Sequence, residues 1–185
     1  MYKCQVNSVV ELHLVQQDIT KMNVDAIVNA ANKKMLGGGG VDGAIHKAAG
    51  SELLQECKEM PEVSEGCRCP IGEARITAGY NLPAKHIIHT VSPRNYGDEK
   101  GIDKENLYKC YANCLRLAGD HFLETIAFPS IGTGIYANPI EIASEIAIIS
   151  VRDNLKYASS IRKVYFVCFL SSDYRTYEET FKIVM

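Results

Sequence analysis

Asp25-Ala26-Ile27-Val28-Asn29-Ala30-Ala31 leads, through Asn32 to Met35, into Leu36-Gly37-Gly38-Gly39-Gly40-Val41-Asp42-Gly43. The first segment is a short apolar run bounded by turn formers, the pattern of a strand buried on both faces. The second sets four glycines in series before a helix expected to begin near Asp42. Such a run selects backbone over side chain. It lets amide N–H groups approach a ligand closely, and the open N–H groups at the helix start favour an anion such as a phosphate. Taken alone, a mobile loop is the alternative reading.

The arrangement recurs. Phe128-Pro129-Ser130-Ile131-Gly132-Thr133-Gly134-Ile135-Tyr136 continues the apolar run that starts at Thr125 and precedes Asn138-Pro139-Ile140-Glu141. That tetrapeptide reads as a helix start, with an N-cap amide, a proline where no donor is needed and a glutamate at the capping-box position. In an open α/β sheet, neighbouring strand C-terminal ends share one crevice, where ligands sit. Two glycine turns there would clamp a diphosphate from both sides.

Working outward, Val9 to Val15 alternates apolar and polar, and Ala74 to Thr77, His86 to Val91 and Val164 to Leu170 are further strand candidates, making about six. Helical spacing of Leu107, Cys110, Tyr111, Cys114, Leu115 and Ala118 predicts a core-facing helix, capped by Asp103 and closed by Gly119. Ile140, Ala143, Ala147, Val151 and Leu155 form the apolar stripe of the next. Strands alternating with helices predict a three-layer α/β/α sandwich with a mixed, largely parallel sheet, as one domain over residues 1–185. The segments 60–70 and 92–101 are expected surface loops.

Composition narrows the classes. The chain has 185 residues, 46% hydrophobic and 23% charged, as in an average globular domain. Twenty Lys+Arg against 22 Asp+Glu leave a net charge of -2, without the basic excess that carries sequence-independent nucleic-acid binding. No apolar run approaches the roughly 20 residues of a membrane span, so no membrane or nucleic-acid partner is expected, and the expected location is the cytoplasm. Seven cysteines, an odd number in apolar surroundings, read as reduced thiols.

Several polar residues fall around the expected crevice. Asp42 and His46, four apart on a helix, share a face; a plain N-cap and a surface histidine are the alternative readings. A carboxylate beside a diphosphate has its pKa raised by like charge, which suits a general base. Asn29 and Asn32 lie at the end of a strand, where asparagine offers donor and acceptor to ribose hydroxyls or caps a turn. Asp18 either accepts from an exocyclic amine or forms an Asx turn.

Other chemistries fit less well. No Gly-Lys-Ser/Thr follows the glycines, so a Walker loop is absent. Gly38, Gly40 and Gly43 match G-x-G-x-x-G literally, but a dinucleotide fold wants the first glycine directly after the strand, and Asn29 to Leu36 intervenes. His86 and His89 point to opposite faces of one strand and share no metal. Cys67 and Cys69 lack zinc spacing, and no cysteine has a histidine at helical spacing to make it a nucleophile. Cys168 reads as core.

DAIVNAAN, GGGGVDGAIHKAAG, CPIGEARITAGYNLPAKHIIHTVSP and FPSIGTGIY, in this order, resemble a macrodomain of the MacroD type, the ADP-ribosyl hydrolases that also deacetylate O-acetyl-ADP-ribose. The likeness runs from about Val9 to the C-terminus. GGGGVDGAIH points to the hydrolytic branch, because many binding-only macrodomains lack the aspartate. Carried over by position, Asp18 resembles the acid that holds the adenine amine, with the Ile19 backbone beside it. Asn32 resembles the residue that orients the distal ribose. Gly40 and Val41 match first-loop contacts to the diphosphate; Ser130, Gly132, Thr133, Gly134 and Ile135 match the second loop. Tyr136 resembles the aromatic over the distal ribose. Asp42 matches the catalytic aspartate, with His46 as its partner, and Phe169, then Tyr174, is the expected adenine-stacking residue.

The resemblance implies a metal-free, cofactor-free monomer acting on ADP-ribose, O-acetyl-ADP-ribose and mono-ADP-ribosylated proteins. Three alternatives stand beside it: a module that reads ADP-ribosylated proteins without cleaving them, a phosphatase of ADP-ribose 1″-phosphate, and an NAD-dependent oxidoreductase built on the literal glycine motif. Three positions depart from the family pattern. Gly132 stands where many relatives have serine, Gln17 replaces the glycine usual before the aspartate, and Ala137-Asn138-Pro139 replaces a more common Gly-Tyr/Phe-Pro.

Overall fold

Side-chain alternation along each central strand sorts the core into two layers. Ala26 and Val28, Ile126 and Phe128, and Val164 and Phe166 face one layer, while Ile27, Ala127 and Val167 face the other. A strand whose two faces are both covered is apolar at most positions, which is why these segments read as apolar runs. The computed structural model describes residues 2–5, 9–97 and 101–185.

Seven strands form one sheet: β1 (Tyr2–Gln5), β2 (Glu11–Gln16), β3 (Ala26–Ala30), β4 (Ala74–Ala78), β5 (His86–Thr90), β6 (Thr125–Pro129) and β7 (Lys163–Cys168). Their order is β1-β2-β7-β6-β3-β5-β4, parallel from β2 to β5 and antiparallel at both edges. The helices are α1 (Gly40–Ala49), α2 (Ser51–Glu59), α3 (Lys104–Asp120), α4 (Ile140–Asn154) and α5 (Ser171–Val184). The buried side chains of α1 and α2 belong to one layer of the core and those of α3, α4 and α5 to the other. This is the expected three-layer α/β/α sandwich with a mixed sheet. None of the described helices is long and apolar enough to cross a membrane.

The seventh strand is β1. Its four residues pair with β2 through the backbone, and an edge strand needs no apolar run. Other boundaries move for identifiable reasons. Val9 is 52% exposed and stands outside β2, and Phe169 and Leu170, also exposed, lie beyond the end of β7. Asp103 caps α3 as expected, accepting from the Asn106 N–H at 3.0 Å, but Gly119 sits inside the helix, which runs on to Asp120. All six predicted core residues of α3 are buried. The cap of α4 is Pro139, and the Asn138 amide bonds to the carbonyls of Pro93 and Gly132 instead. Within the expected loop 92–101, residues 98–100 lie outside the described residues.

Candidate active site

The sheet order brings five parallel strand ends to one edge, and the segment leaving each end supplies part of a crevice. Asp18 follows β2, Phe169 follows β7, the second glycine turn follows β6, the first follows β3 and Ser92 follows β5. Because β3 and β6 are hydrogen-bonded neighbours, the two glycine turns face each other. The chain leaves β3 toward β4 and β5 and leaves β6 toward β7, so the crevice opens where the winding reverses. Two cavities occupy it. One, of about 580 Å³, is lined by Asp18, Ile19, Thr133 and Phe169; the other, of about 140 Å³, by Asn32, Asp42, Ser92 and Tyr136. Gly40, Val41, Ser130 and Gly134 line both, forming a waist between them.

The first turn is shaped by its own polar contacts. Asn32 Nδ2 donates to the Gly37 carbonyl at 3.0 Å, and the Lys34 N–H returns to Asn32 Oδ1 at 3.1 Å. Gly37 and Gly40 hold φ of 85° and 60°, the left-handed region that glycine enters without a steric penalty. Helix α1 starts at Gly40, earlier than the sequence suggests, and no side chain caps it. Its first amide N–H groups therefore stay open toward the waist, where helix termini attract anions.

The second turn is held from behind. The Asn138 amide and N–H both donate to the Gly132 carbonyl, at 3.1 and 3.0 Å, and Asn95 N–H donates to Tyr136 O at 2.9 Å. Gly132 has φ 79°, and a Cβ there would stand 2.6 Å from Asn138 Nδ2 and 2.8 Å from Ser92 Oγ. This packing explains glycine rather than serine at position 132. Ile135 approaches across the gap, its Cδ1 3.2 Å from where a Cβ on Gly39 would lie.

Asp42 is in the first turn of α1, not at its N-cap, and is 4% exposed. Asn29 Nδ2 donates to its Oδ1 at 2.8 Å. His46 Nε2 lies 3.5 Å from the same oxygen, an ion-pair distance longer than a good hydrogen bond. Burial raises the Asp42 pKa above the ordinary carboxylate value, while the Asn29 hydrogen bond and the His46 charge pull it down. Oδ2 is on the Gly38 side, 3.0 Å from the Cβ position of that glycine, and makes no hydrogen bond to the described residues.

Behind Asp42 runs a buried polar chain that sequence reasoning missed. Asn29, expected at the ligand, is completely buried; it is paired across the ladder with His89 of β5, and Asn29 Nδ2 lies 3.1 Å from His89 Nδ1. His89 Nε2 in turn meets Thr77 Oγ1 at 2.9 Å. Full burial drives the His89 pKa down to about 3, so the ring is neutral at physiological pH.

A model of the macro domain family matches residues 28–147. The chain belongs to the macrodomain family. A macro domain-containing protein of Chlorobaculum tepidum is 51% identical over 91% of this chain and 94% of its own length. The protein named ADP-ribose glycohydrolase MACROD2 from Xenopus laevis is 48% identical over 87% of this chain, a match that spans 37% of that longer protein. A mutant of the Oceanobacillus iheyensis macrodomain, solved with ADPR, superposes with a TM-score of 0.91 at 42% identity, covering 99% of this chain and 97% of that one. The MacroD-type resemblance read from the sequence thus stands.

All the predicted site residues of this macrodomain except His46 line one crevice; His46 borders neither cavity and stands beside Asp42, its ring against Gly37. Asp18, Ile19, Thr133 and Phe169 border the larger cavity; Asn32, Asp42, Gly132, Ile135 and Tyr136 border the smaller; Gly40, Val41, Ser130 and Gly134 join them. The turn reading of Asp18 is observed, since Oδ1 accepts from the N–H and hydroxyl of Thr20, while Oδ2 has no partner among the described residues. Phe169 lines the cavity and is 74% exposed, whereas Tyr174 packs against the core. His86 and His89 point apart, His86 toward His121 and His89 toward Asn29. The six described cysteines are free, and burial pushes Cys57 to about 11 and Cys69 and Cys168 to about 12, far from nucleophilic at neutral pH.

Proposed function

We propose that this macrodomain binds ADP-ribose and hydrolyses esters at its distal ribose, both O-acetyl-ADP-ribose and mono-ADP-ribosyl groups ester-linked to acidic protein residues, by metal-independent water activation. The observation that carries the reading is the buried Asp42 carboxylate. One of its oxygens is held by Asn29 and the other has no hydrogen-bond partner among the described residues, beside the open amide end of α1. The names of the MACROD2 relative and the ADPR-bound neighbour support the same class of ligand and reaction.

In this reading the adenine lies against Phe169 with its amine toward Asp18, the diphosphate crosses the glycine-lined waist, and Asn32 and Tyr136 hold the distal ribose. A water sits between an α-phosphate oxygen and Asp42. Asp42 accepts the water proton as the oxygen bonds either to the ribose carbon bearing the ester, from which the carboxylate leaves, or to the ester carbonyl carbon, from which the ribose oxygen leaves and takes that proton from Asp42. Products are ADP-ribose and a protein carboxylate or, from the free ester, acetate. A raised pKa strengthens the base, and its position inside the cavity spends that strength on a single water.

Asp42→Ala tests the proposal. Turnover of O-acetyl-ADP-ribose should fall by about 10²–10⁴-fold, the usual contribution of a positioned general base, while ADP-ribose affinity by calorimetry stays within a few-fold. Equal loss of both would make Asp42 structural, and no turnover by the wild-type chain would make the protein a reader of ADP-ribose rather than a hydrolase. Calorimetry with NAD should show far weaker binding than with ADP-ribose.

A further inference from the structure

A third cavity continues the row. It encloses about 680 Å³ and shares Asn32, Ser92 and Tyr136 with the Asp42 cavity, but none of the residues around Asp18 and Phe169. A nucleotide seated along the first two cavities therefore presents its distal end to the third. Whatever the ester joins to that ribose must leave on this side.

The chemistry of its walls is specific. Lys33 and Lys34, in the segment between β3 and the first glycine turn, and Arg94, after β5, line it; all three are exposed and none makes an ion pair among the described residues. The one described carboxylate on the cleft, Asp103, is turned to the start of α3, where it accepts from the N–H and the amide of Asn106 at 3.0 and 2.7 Å. Three cations with no ion pair among the described residues thus stand together on a chain whose net charge is -2. Arg94 also lies over the Tyr96 ring, 5.7 Å from its centroid.

We propose that this cleft seats the polypeptide that carries the ester-linked ADP-ribosyl group, and that Lys33, Lys34 and Arg94 favour acceptors whose modified glutamate is flanked by further carboxylates. The proposal rests on the hydrolytic reading of Asp42 and adds to it the side of the substrate that the nucleotide does not specify. Exposed charges contribute modestly one by one and together set which partner arrives and stays.

The test uses two peptides ADP-ribosylated through a glutamate ester, one with Asp and Glu on both sides and one with Ser and Gly, and O-acetyl-ADP-ribose as the free ester. The wild-type chain should favour the acidic peptide about tenfold in kcat/KM at low salt, with the preference fading toward 0.5 M salt, at roughly a 4 Å Debye length. The triple variant Lys33→Ser, Lys34→Ser, Arg94→Ser should erase the preference and leave the free ester turned over within about twofold of wild type. Equal rates on both peptides, or a preference that survives in the variant, would overturn the proposal while leaving the Asp42 reading intact. Peptide affinities measured on Asp42→Asn read the cleft without turnover: an acidic preference there, with no hydrolysis by wild type, sinks the hydrolase and keeps the cleft. An ADP-ribosylated oligonucleotide end that outcompeted both peptides would reassign the cleft to nucleic acid and overturn the proposal.

Discussion

Asn29 and Asp42, on a central strand and on the helix packed over it, meet through a 2.8 Å hydrogen bond between two buried side chains. An amide facing a carboxylate can only donate, since the reverse orientation sets oxygen against oxygen. Its second hydrogen then falls to His89 Nδ1, which makes Nε2 the protonated nitrogen and a donor to Thr77 Oγ1. The Asn29 oxygen has no partner among the described residues, a cost accepted where the amide is needed as a double donor. Asp42 is thereby held in one orientation by a chain reaching across three strands.

Asn29→Leu removes the donor while nearly keeping the volume. The Asp42 pKa, no longer lowered by that bond, should climb further, moving the acidic limb of kcat/KM to higher pH. Activity at pH 7 should drop about 10- to 100-fold, the factor carried by a charge-assisted hydrogen bond of about 1.5–3 kcal/mol. An unshifted pH profile would show that Asn29 serves packing alone.

Asp42→Asn should make the fold more stable. A carboxyl whose pKa is raised by folding costs stability where it is charged, and that cost is relieved as pH falls through the folded value. At pH 7 the neutral variant escapes it and still accepts from Asn29. Thermal melts should show a Tm higher by about 2–4 °C for each 1 kcal/mol relieved, with the advantage shrinking on acidification. A lower Tm at pH 7 would contradict the desolvation argument.

His89 carries the opposite sign. Its folded pKa of about 3 is below the ordinary 6.5, so its neutral burial is fully favourable above about pH 6.5 and is lost as pH falls toward 3. The slope is about 1.4 kcal/mol per pH unit within that window. His89→Gln keeps polar contacts and cannot titrate there. Urea unfolding should find the variant weaker at pH 7 but closing on wild type by pH 4.5, and a constant gap across this range would place the titration elsewhere.

The second glycine turn contains a matched pair of positions. Ala137 has φ 55°, a left-handed conformation costing a non-glycine residue about 1–2 kcal/mol, at the place where the family more often has glycine. Ala137→Gly should therefore hold or raise Tm slightly, after the loss of chain entropy that glycine brings. Gly132→Ala should do the reverse and also weaken ADP-ribose binding about tenfold or more, because its Cβ would displace Asn138 or Ser92 from behind the second glycine turn. Calorimetry and melts on both variants separate the two effects.

Much of the fold was legible in the residues. The strands β3, β6 and β7 are continuous apolar runs, the core stripe of α3 recurs at helical spacing, and the two glycine turns sit between a strand and a helix. What escaped was contributed by pairing. The four-residue β1 shows itself only through its ladder with β2, and Asn138, placed like a cap, instead ties the second turn to Pro93 across the crevice. Lys33, Lys34 and Arg94 are ordinary surface cations until the fold sets them around one cleft.

The sequence by itself determined the two glycine turns between strand and helix and the presence of Asp42 near a helix start, since glycine runs, apolar periods and helix signals act within a few residues. Only the tertiary structure decided which atoms Asp42 would meet. The register of β3 on β5 put His89 beside Asn29, and the packing of α1 over that pair brought Asp42 down onto the amide. Such contacts join residues 13 and 60 positions apart. Strand register and helix docking, set by burial of the whole apolar face, choose them, and no local pattern records that choice.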